Sequence, residues 1–284
     1  MRGNPGTMKL LRPASPQEAA DIFAQQPDAL PLAGGTDVLV SWNMGLLDGK
    51  TVLDLSRLAP WRRIETLRNG VRIGALATHT EIRENPVVRR RFPLLARACS
   101  VVGSVQIQNR GTIGGNLANA SPAGDGFPPL AVYEARIHAM SAQGWRVIPV
   151  LDLFAGVKRT TLAPGELIEA VELPFPPAGR SFFRKVGSRS AQTISKAVGA
   201  GLLVQRKGLV EDLRVAFGSV APVVRRLRAV EGFLKGKRLS PETVERSCEL
   251  LREDVSPIDD IRSTREYRLK VCENILRDFL GGRE

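Results

Sequence analysis

Two glycine pairs, each set among small residues beside a short helix-forming stretch, constrain this chain more than any other feature. Gly34-Gly35 sits in Pro31-Leu32-Ala33-Gly34-Gly35-Thr36-Asp37, after a short apolar strand at Leu30-Pro31-Leu32 and ahead of a short helix at Val38-Leu39-Val40-Ser41-Trp42. Gly114-Gly115 sits in Gly111-Thr112-Ile113-Gly114-Gly115-Asn116-Leu117-Ala118-Asn119-Ala120-Ser121-Pro122-Ala123-Gly124-Asp125, with apolar elements on both sides. Backbone N–H groups approach a phosphate closely only where side chains are absent, and a following helix adds its positive end. Thr36, Thr112 and Asn116 supply hydrogen-bond donors beside the loops. Two cradles suit a diphosphate with one loop on each side, which points to a dinucleotide; a tight turn is the open alternative for either pair alone. No Gly-x4-Gly-Lys-Ser/Thr loop and no Gly-x-Gly-x-x-Gly fingerprint occurs. The nearest approach to the latter, Gly199-Ala200-Gly201-Leu202-Leu203-Val204, has valine at the third place and lies in a strand-like run.

The remaining pattern gives an α+β chain. Lys9 to Arg12 and Val52 to Leu55 read as strands, and Ser15-Pro16-Gln17-Glu18 opens a helix with a capping box whose apolar face is Ala19, Ala20, Ile22 and Phe23. Ile64 to Leu67 and Val71 to Ile73 form a hairpin across Asn69-Gly70. Thr78 with Glu81 makes a second capping box, and Leu94 to Val102 a helix. Strands follow at 137–140, 146–150 and 167–173. Pro174-Phe175-Pro176-Pro177-Ala178-Gly179 denies both helix and central strand, which sets a boundary between domains at 1–176 and 177–284. Beyond it, 182–186, 197–205 and 209–218 predict an antiparallel sheet turning at Lys207-Gly208, then three helices near 223–234, 240–253 and 262–280.

Composition narrows the function. Three cysteines, at 99, 248 and 272, are too scattered for an iron–sulfur cluster, a zinc site or a disulfide framework. No apolar stretch reaches the ~20 residues of a membrane span, and the opening Met1-Arg2-Gly3-Asn4-Pro5-Gly6 lacks the apolar core of a secretory signal, so a cytoplasmic protein is expected. The net charge is +12, and residues 181–252 alone carry 15 Lys and Arg against 6 Asp and Glu. Such clustering attracts nucleic acid by counterion release, but 5% aromatic content leaves few stacking platforms. A docking face for an acidic partner around Arg225, Arg226 and Arg228 is the preferred reading. Asp259-Asp260 reads as a cap and ion pair beside the last helix, and His79 and His138 as structural.

The two glycine segments, with Asn109-Arg110 leading the second, resemble the two FAD-binding signatures of the medium, flavin-carrying subunit of molybdenum hydroxylases, the xanthine dehydrogenase and carbon monoxide dehydrogenase family. The resemblance runs from Met8 to the end through Pro164-Gly165-Glu166-Leu167-Ile168, Phe183-Arg184-Lys185-Val186-Gly187-Ser188-Arg189 and Pro257-Ile258-Asp259-Asp260-Ile261-Arg262-Ser263. It implies a two-lobed vanillyl-alcohol-oxidase-type (PCMH-type) FAD-binding domain, with lobes of about 1–57 and 58–176, followed by a smaller α+β C-terminal domain of antiparallel sheet plus helices.

By position in the family pattern, Leu32, Ala33, Gly34, Gly35, Thr36, Asp37, Val38 and Leu39, with Thr112, Ile113, Gly114, Gly115 and Asn116, would contact the pyrophosphate and ribityl chain. Asp125 would accept from a sugar hydroxyl, Ile168 would pack near the cofactor, and Lys185 would place a cation by it. Val102 stands where some relatives carry an aromatic ring. The resemblance implies no catalytic acid or base and no metal on this chain. It implies an electron-transfer oxidoreductase subunit that receives electrons from a two-cluster 2Fe–2S small subunit and a molybdopterin large subunit, arranged as a dimer of heterotrimers, and passes them to NAD+, a quinone or dioxygen. A flavin-free scaffold that uses its basic face is the competing class.

Overall fold

Local chemistry sets the ends of most elements in the computed structural model, which describes residues 5–282. Met1-Arg2-Gly3-Asn4, on which part of the signal-sequence reading rests, lie outside the described residues. Ser15 accepts from the Glu18 N–H at 3.2 Å and opens helix Pro16–Gln25, where proline fits because the first N–H has no helical partner. The Glu18 carboxylate accepts from the Ala14 N–H, one residue beyond the Ser15 N–H that a reciprocal box would use. Thr78 with Glu81 and Ser240 with Thr243 make complete boxes at His79–Glu84 and Pro241–Asp254.

Three of the four sheets formed by the described residues organise the fold, the fourth being the short pair Phe154–Gly156 and Arg159–Thr160. Thr51–Asp54 lies between Lys9–Leu11 and Leu30–Leu32, parallel to both. Helix Pro16–Gln25 buries Ala19, Ala20 and Phe23 in one cluster with Leu53, Leu55 and Trp61. A five-stranded antiparallel sheet runs in the order Ile64–Leu67, Gly70–Gly74, Leu167–Pro174, Arg136–Ser141, Gly144–Pro149. Arg180–Val186, Ala197–Arg206, Leu209–Gly218 and the two-residue edge Arg225–Arg226 form a third, antiparallel sheet. Helix Phe127–Val132 is buried along its whole length, and one apolar interior contains its side chains together with Val71 and Ile73 of the second sheet and Val198, Ala200 and Ala216 of the third.

The structure departs from the sequence reading at several points. The helix predicted from 223 begins only at Arg228, because Arg225–Arg226 pairs with Ala216 and Phe217 as a sheet edge. Helices Pro86–Arg91, Val105–Arg110 and Phe127–Val132, six residues each, are too short to show a 3.6-residue period. The predicted docking face also changes. Arg226 is buried, with its guanidinium on the Glu231 carboxylate and the Ala131 carbonyl, so it is a structural cation of the interior. Asp259 accepts from the Arg265 N–H, and Asp260 holds Arg262 and Arg268, as a cap and ion pair require. Among the described residues, no helix is long and apolar enough to cross a membrane.

Gly199 and Gly201, the residues of the near-fingerprint, lie inside strand Ala197–Arg206 and serve packing. A Cβ on Gly199 would lie 2.9 Å from Ile275, and one on Gly201 would lie 2.4 Å from the Phe279 ring. The last helix, Arg265–Gly281, therefore seats its apolar face directly on bare backbone. We expect Gly201→Val to overpack this contact and lower stability by about 1–3 kcal/mol, read as a lower urea midpoint, with Gly232→Ala, whose Cβ meets open space, as the neutral comparison.

Candidate cofactor site

A cleft of about 1310 Å3 opens where the first sheet, the second sheet and the third come together. That exceeds the roughly 300–1,000 Å3 common for drug-sized ligands and leaves room for a dinucleotide. Of the residues singled out from sequence, Ala33, Gly34, Gly35, Thr36, Asp37, Val38, Val102, Thr112, Gly114, Gly115, Asn116, Asp125 and Ile168 line it. Leu32, Leu39, Ile113 and Lys185 do not. Leu39 leans over Gly35 on the outer surface, Ile113 points into the core, and Lys185 lies behind Asp125.

The two glycine segments meet directly, and only glycine permits it. A Cβ on Gly34 would lie 1.8 Å from the Arg110 carbonyl oxygen, so any side chain there forces the loops apart. Gly35 has φ of 78°, in the left-handed region that glycine adopts without strain. Among the described residues, the N–H groups of Gly34, Gly35, Thr36 and Asp37 have no protein acceptor. A run of such donors leading into helix Val38–Asn43 is an anion cradle.

The second segment is built differently from the sequence expectation. Thr112 caps helix Ile113–Asn119, and its side chain accepts from the Gly115 N–H at 3.1 Å. The Ile113 and Gly114 N–H groups donate to the carbonyls of Ala77 and Ala75, and Asn116 N–H to Thr112 O. Its donors are therefore already used in holding the helix to the second sheet. Gly114 is glycine because its Cβ would lie 2.6 Å from that of Ala75; Gly115 leaves open surface toward the cleft, with Thr112 Oγ1 at 3.0 Å and Ala33 Cβ at 4.0 Å as the nearest neighbours of an added Cβ. The first loop supplies N–H donors, and the second supplies a smooth wall.

Asp125 closes the second segment in a buried position. Its Oδ2 accepts from Lys185 Nζ at 2.6 Å and its Oδ1 from the Ser195 hydroxyl at 2.5 Å, while Lys185 also donates to the Val101 carbonyl at 2.8 Å. Burial pushes the carboxyl above its ordinary range, opposed by Lys185 and by both hydrogen bonds. Helix Phe127–Val132 takes Gly126, not Asp125, as its cap.

Sequence reasoning missed part of the lining. Trp61, His79, the 192–194 segment and Arg262 reach the cleft from distant points of the chain, and no local spacing announces them. Trp61 and His79 each hold a buried ring nitrogen, Nε1 and Nδ1, without a protein partner. Burial drives the His79 imidazole down to about 4, so it is neutral at pH 7. Unpaired donors in the first loop, orphaned ring nitrogens and a wall without side chains fit a large ligand rich in phosphate and hydroxyl oxygens, and FAD is such a ligand.

Comparison with known proteins agrees with this geometry. Residues 6–176 match the family model described as the FAD binding domain in molybdopterin dehydrogenase, and residues 182–282 match the CO dehydrogenase flavoprotein C-terminal domain. The chain is 32% identical over 270 residues to the glyceraldehyde dehydrogenase medium chain of Sulfolobus acidocaldarius, covering 95% of each. It is 32% identical over 268 residues to the nicotine 6-hydroxylase medium subunit of Paenarthrobacter nicotinovorans, covering 93% of each. A structure of carbon monoxide dehydrogenase from Hydrogenophaga pseudoflava superposes with a TM-score of 0.93 at 27% identity, over 98% of this chain and 97% of that one.

Two outcomes test the site's electrostatics. Between pH 6.5 and about 4 the unfolded chain protonates a histidine that the folded chain keeps neutral, so stability falls with pH. Wild type should lose roughly 3 kcal/mol more than His79→Gln across that window, measured by urea unfolding of the cofactor-free protein. Lys185→Met leaves the Asp125 carboxylate buried and unpaired and should destabilise by about 3–5 kcal/mol, with Lys185→Met/Asp125→Leu recovering part of the loss.

Proposed function

The chain belongs to the FAD-binding medium subunits of the molybdenum hydroxylases, the xanthine dehydrogenase and carbon monoxide dehydrogenase family, and from that premise we propose that it is the electron-transfer flavoprotein subunit of such an oxidoreductase complex. The observation that carries this reading is the pairing of unlike loops across one cleft: free N–H donors at 34–37 and the bare surface of Gly115 opposite.

Each residue then has a task that its position supports. The N–H groups of Gly34, Gly35, Thr36 and Asp37 hold the diphosphate, and helix Val38–Asn43 adds its positive end. Thr112, Gly115 and Asn116 lie along the ribityl chain. Ile113 anchors that wall in the core with Gly114, while Leu32 and Leu39 brace Gly35 from the other side. Asp125 accepts from a sugar hydroxyl with lone pairs that Lys185 and Ser195 leave available, since an ionised carboxylate has about four acceptor sites. Ile168 packs on the cofactor. Val102 contributes no ring to stack on it, so that face of the site is left wider than an aromatic residue would leave it. Lys185 acts through Asp125 and the Val101 carbonyl, which fixes the two neighbouring lining residues.

When bound, FAD supplies the redox chemistry, accepting electrons from partner iron–sulfur clusters and releasing them to NAD+, a quinone or dioxygen. The chain's own residues bind and orient it. The clusters and the molybdopterin belong, in this proposal, to a 2Fe–2S small subunit and a large subunit, arranged as a dimer of heterotrimers in the cytoplasm; Cys99, Cys248 and Cys272, all free and buried, suit a reducing compartment.

Gly115→Leu tests the reading, because it fills the open wall with a side chain. FAD affinity should fall at least ~100-fold by fluorescence titration while the melting temperature of the cofactor-free protein stays within a few degrees of wild type. Unchanged affinity, or a wild-type chain that acquires no flavin spectrum with FAD, would favour the flavin-free scaffold instead.

A further inference from the structure

Neither ring nitrogen of His79 has a protein partner among the described residues, although the residue is only 4% exposed. It is the first residue of helix His79–Glu84, directly behind the cap at Thr78. Nδ1 is sealed from solvent. Nε2 is not sealed, and it is bonded to Cδ2, the ring carbon turned toward Gly111 at the wall of the cleft. The chain's other histidine, His138, shows the ordinary arrangement, with Nδ1 3.1 Å from Arg72 and Nε2 3.1 Å from Glu172. A buried polar group without a partner requires an explanation. The helix cap gives none, because Thr78 and Glu81 complete it by themselves.

The ring stands where the two glycine segments cross. The His79 N–H donates to the Gly111 carbonyl at 3.1 Å, and Thr78 bridges to Thr112, so the start of the helix is fixed on the second segment. A Cβ on Gly111 would lie 3.3 Å from Thr36 Oγ1 and 3.4 Å from His79 Cδ2, and one on Gly34 would lie 3.2 Å from Gly111 Cα. The imidazole edge, the Thr36 hydroxyl and the loop whose N–H groups lack acceptors are thus gathered round one bare α-carbon. Thr36, His79, Gly111 and Thr112 all line the cleft.

We propose that His79 is a phosphate-binding residue, whose Nε2–H completes the cradle made by the N–H groups of residues 34–37. The inference rests on the FAD reading above, which assigns the cofactor's diphosphate to that loop. Tautomer chemistry decides which nitrogen donates. A neutral imidazole has one N–H and one lone pair. A sealed N–H without an acceptor is rarer than an unmatched lone pair, so Nδ1 keeps the lone pair and the proton resides on Nε2, on the cleft side. Burial holds the ring neutral, its pKa lowered to about 4, so the donor is present at pH 7 without prior protonation. Glu81, two residues on, is occupied by Thr78 and Arg62 and does not compete for it. An ionised diphosphate is the strongest acceptor class in the cofactor, since hydrogen bonds to charged oxygens are about twice as strong as neutral ones.

The test starts from the wild-type chain labelled with 15N-histidine, with His138→Gln used only to assign the two rings. Adding FAD should move the His79 Nε2–H proton downfield and leave the His138 signals in place. His79→Phe keeps the ring volume and removes both nitrogens, and it should weaken FAD by at least ~10-fold in a fluorescence titration, as loss of a hydrogen bond to a charged group does. His79→Gln, whose amide reaches the place of Nε2, should stay within about threefold of wild type, whereas His79→Asn, which reaches only the place of Nδ1, should weaken as His79→Phe does. The 31P resonances of bound FAD should shift in His79→Phe and keep their wild-type positions in His79→Gln. Equal affinities for His79→Phe and His79→Gln, both tight or both weak, overturn the proposal. So do an Nε2–H signal that ignores FAD and 31P positions in His79→Phe that match wild type; the FAD reading survives all three results. If His79→Phe does not fold, His79→Gln against His79→Asn carries the affinity test, and equal values overturn the proposal. A wild-type chain that takes up no FAD removes the FAD reading, and this inference with it.

Discussion

A carboxylate cannot stay in an apolar interior without partners, and Asp125 organises the structure around that constraint. It stands at the end of the second glycine segment, immediately before the buried helix Phe127–Val132. Its partners come from the third sheet: Lys185 from strand Arg180–Val186, and Ser195 from the segment leading into strand Ala197–Arg206. Lys185 in turn donates to the Val101 carbonyl at the end of helix Pro93–Val101. One ionic knot thus ties together the cleft wall, the helix beside Val102 and the C-terminal sheet. Desolvation makes that knot expensive to open, because removing one member leaves the other charged in low dielectric.

The glycine pairs divide the labour that two similar loops seem at first to share. Both pairs remove side chains, but only one also frees its donors. Gly34 and Gly35 lie outside regular structure and line the cleft, and their N–H groups have no protein acceptor among the described residues. Gly114 and Gly115 lie in the first turn of a helix, where Ala75 and the Thr112 hydroxyl take their N–H groups. The second pair is glycine for reasons of approach: Gly114 lets the helix reach Ala75, and Gly115 lets a ligand reach the helix. On the proposed reading, diphosphate capture falls to the 34–37 loop, and the 112–116 helix supplies the wall for the rest of the cofactor.

Much of this was legible in the sequence, because the relevant signals are local. Caps at Ser15, Thr78 and Ser240, the Asn69-Gly70 hairpin and the alternating strands of the C-terminal sheet each depend on neighbours within a few residues. Both glycine segments could be found the same way. What escaped depends on tertiary position. Arg225–Arg226 follows an apolar run and reads as helix until the edge of strand Leu209–Gly218 captures it. Lys185 reads as a cation for a cofactor until Asp125, sixty residues away, claims it. His79 follows a capping threonine and reads as structural, and only the fold reveals that its ring borders the cleft with Nδ1 unpartnered.

Charge and hydrophobicity misled in opposite directions for one physical reason: a sequence counts groups, whereas a surface depends on what each group touches. Residues 181–252 look strongly basic in the count, yet Arg214 pairs with Asp212 and Glu134, Arg226 with Glu231, and Arg252 with Glu273, so much of that charge is neutralised within the fold. Residues 38–47 look like ordinary core in the count, yet no residue of helix Val38–Asn43 is buried among the described residues. A buried arginine already satisfied by carboxylates gains little from a second acidic surface, whereas exposed Val40, Met44 and Leu46 gain about 25 cal/mol for every Å2 removed from water.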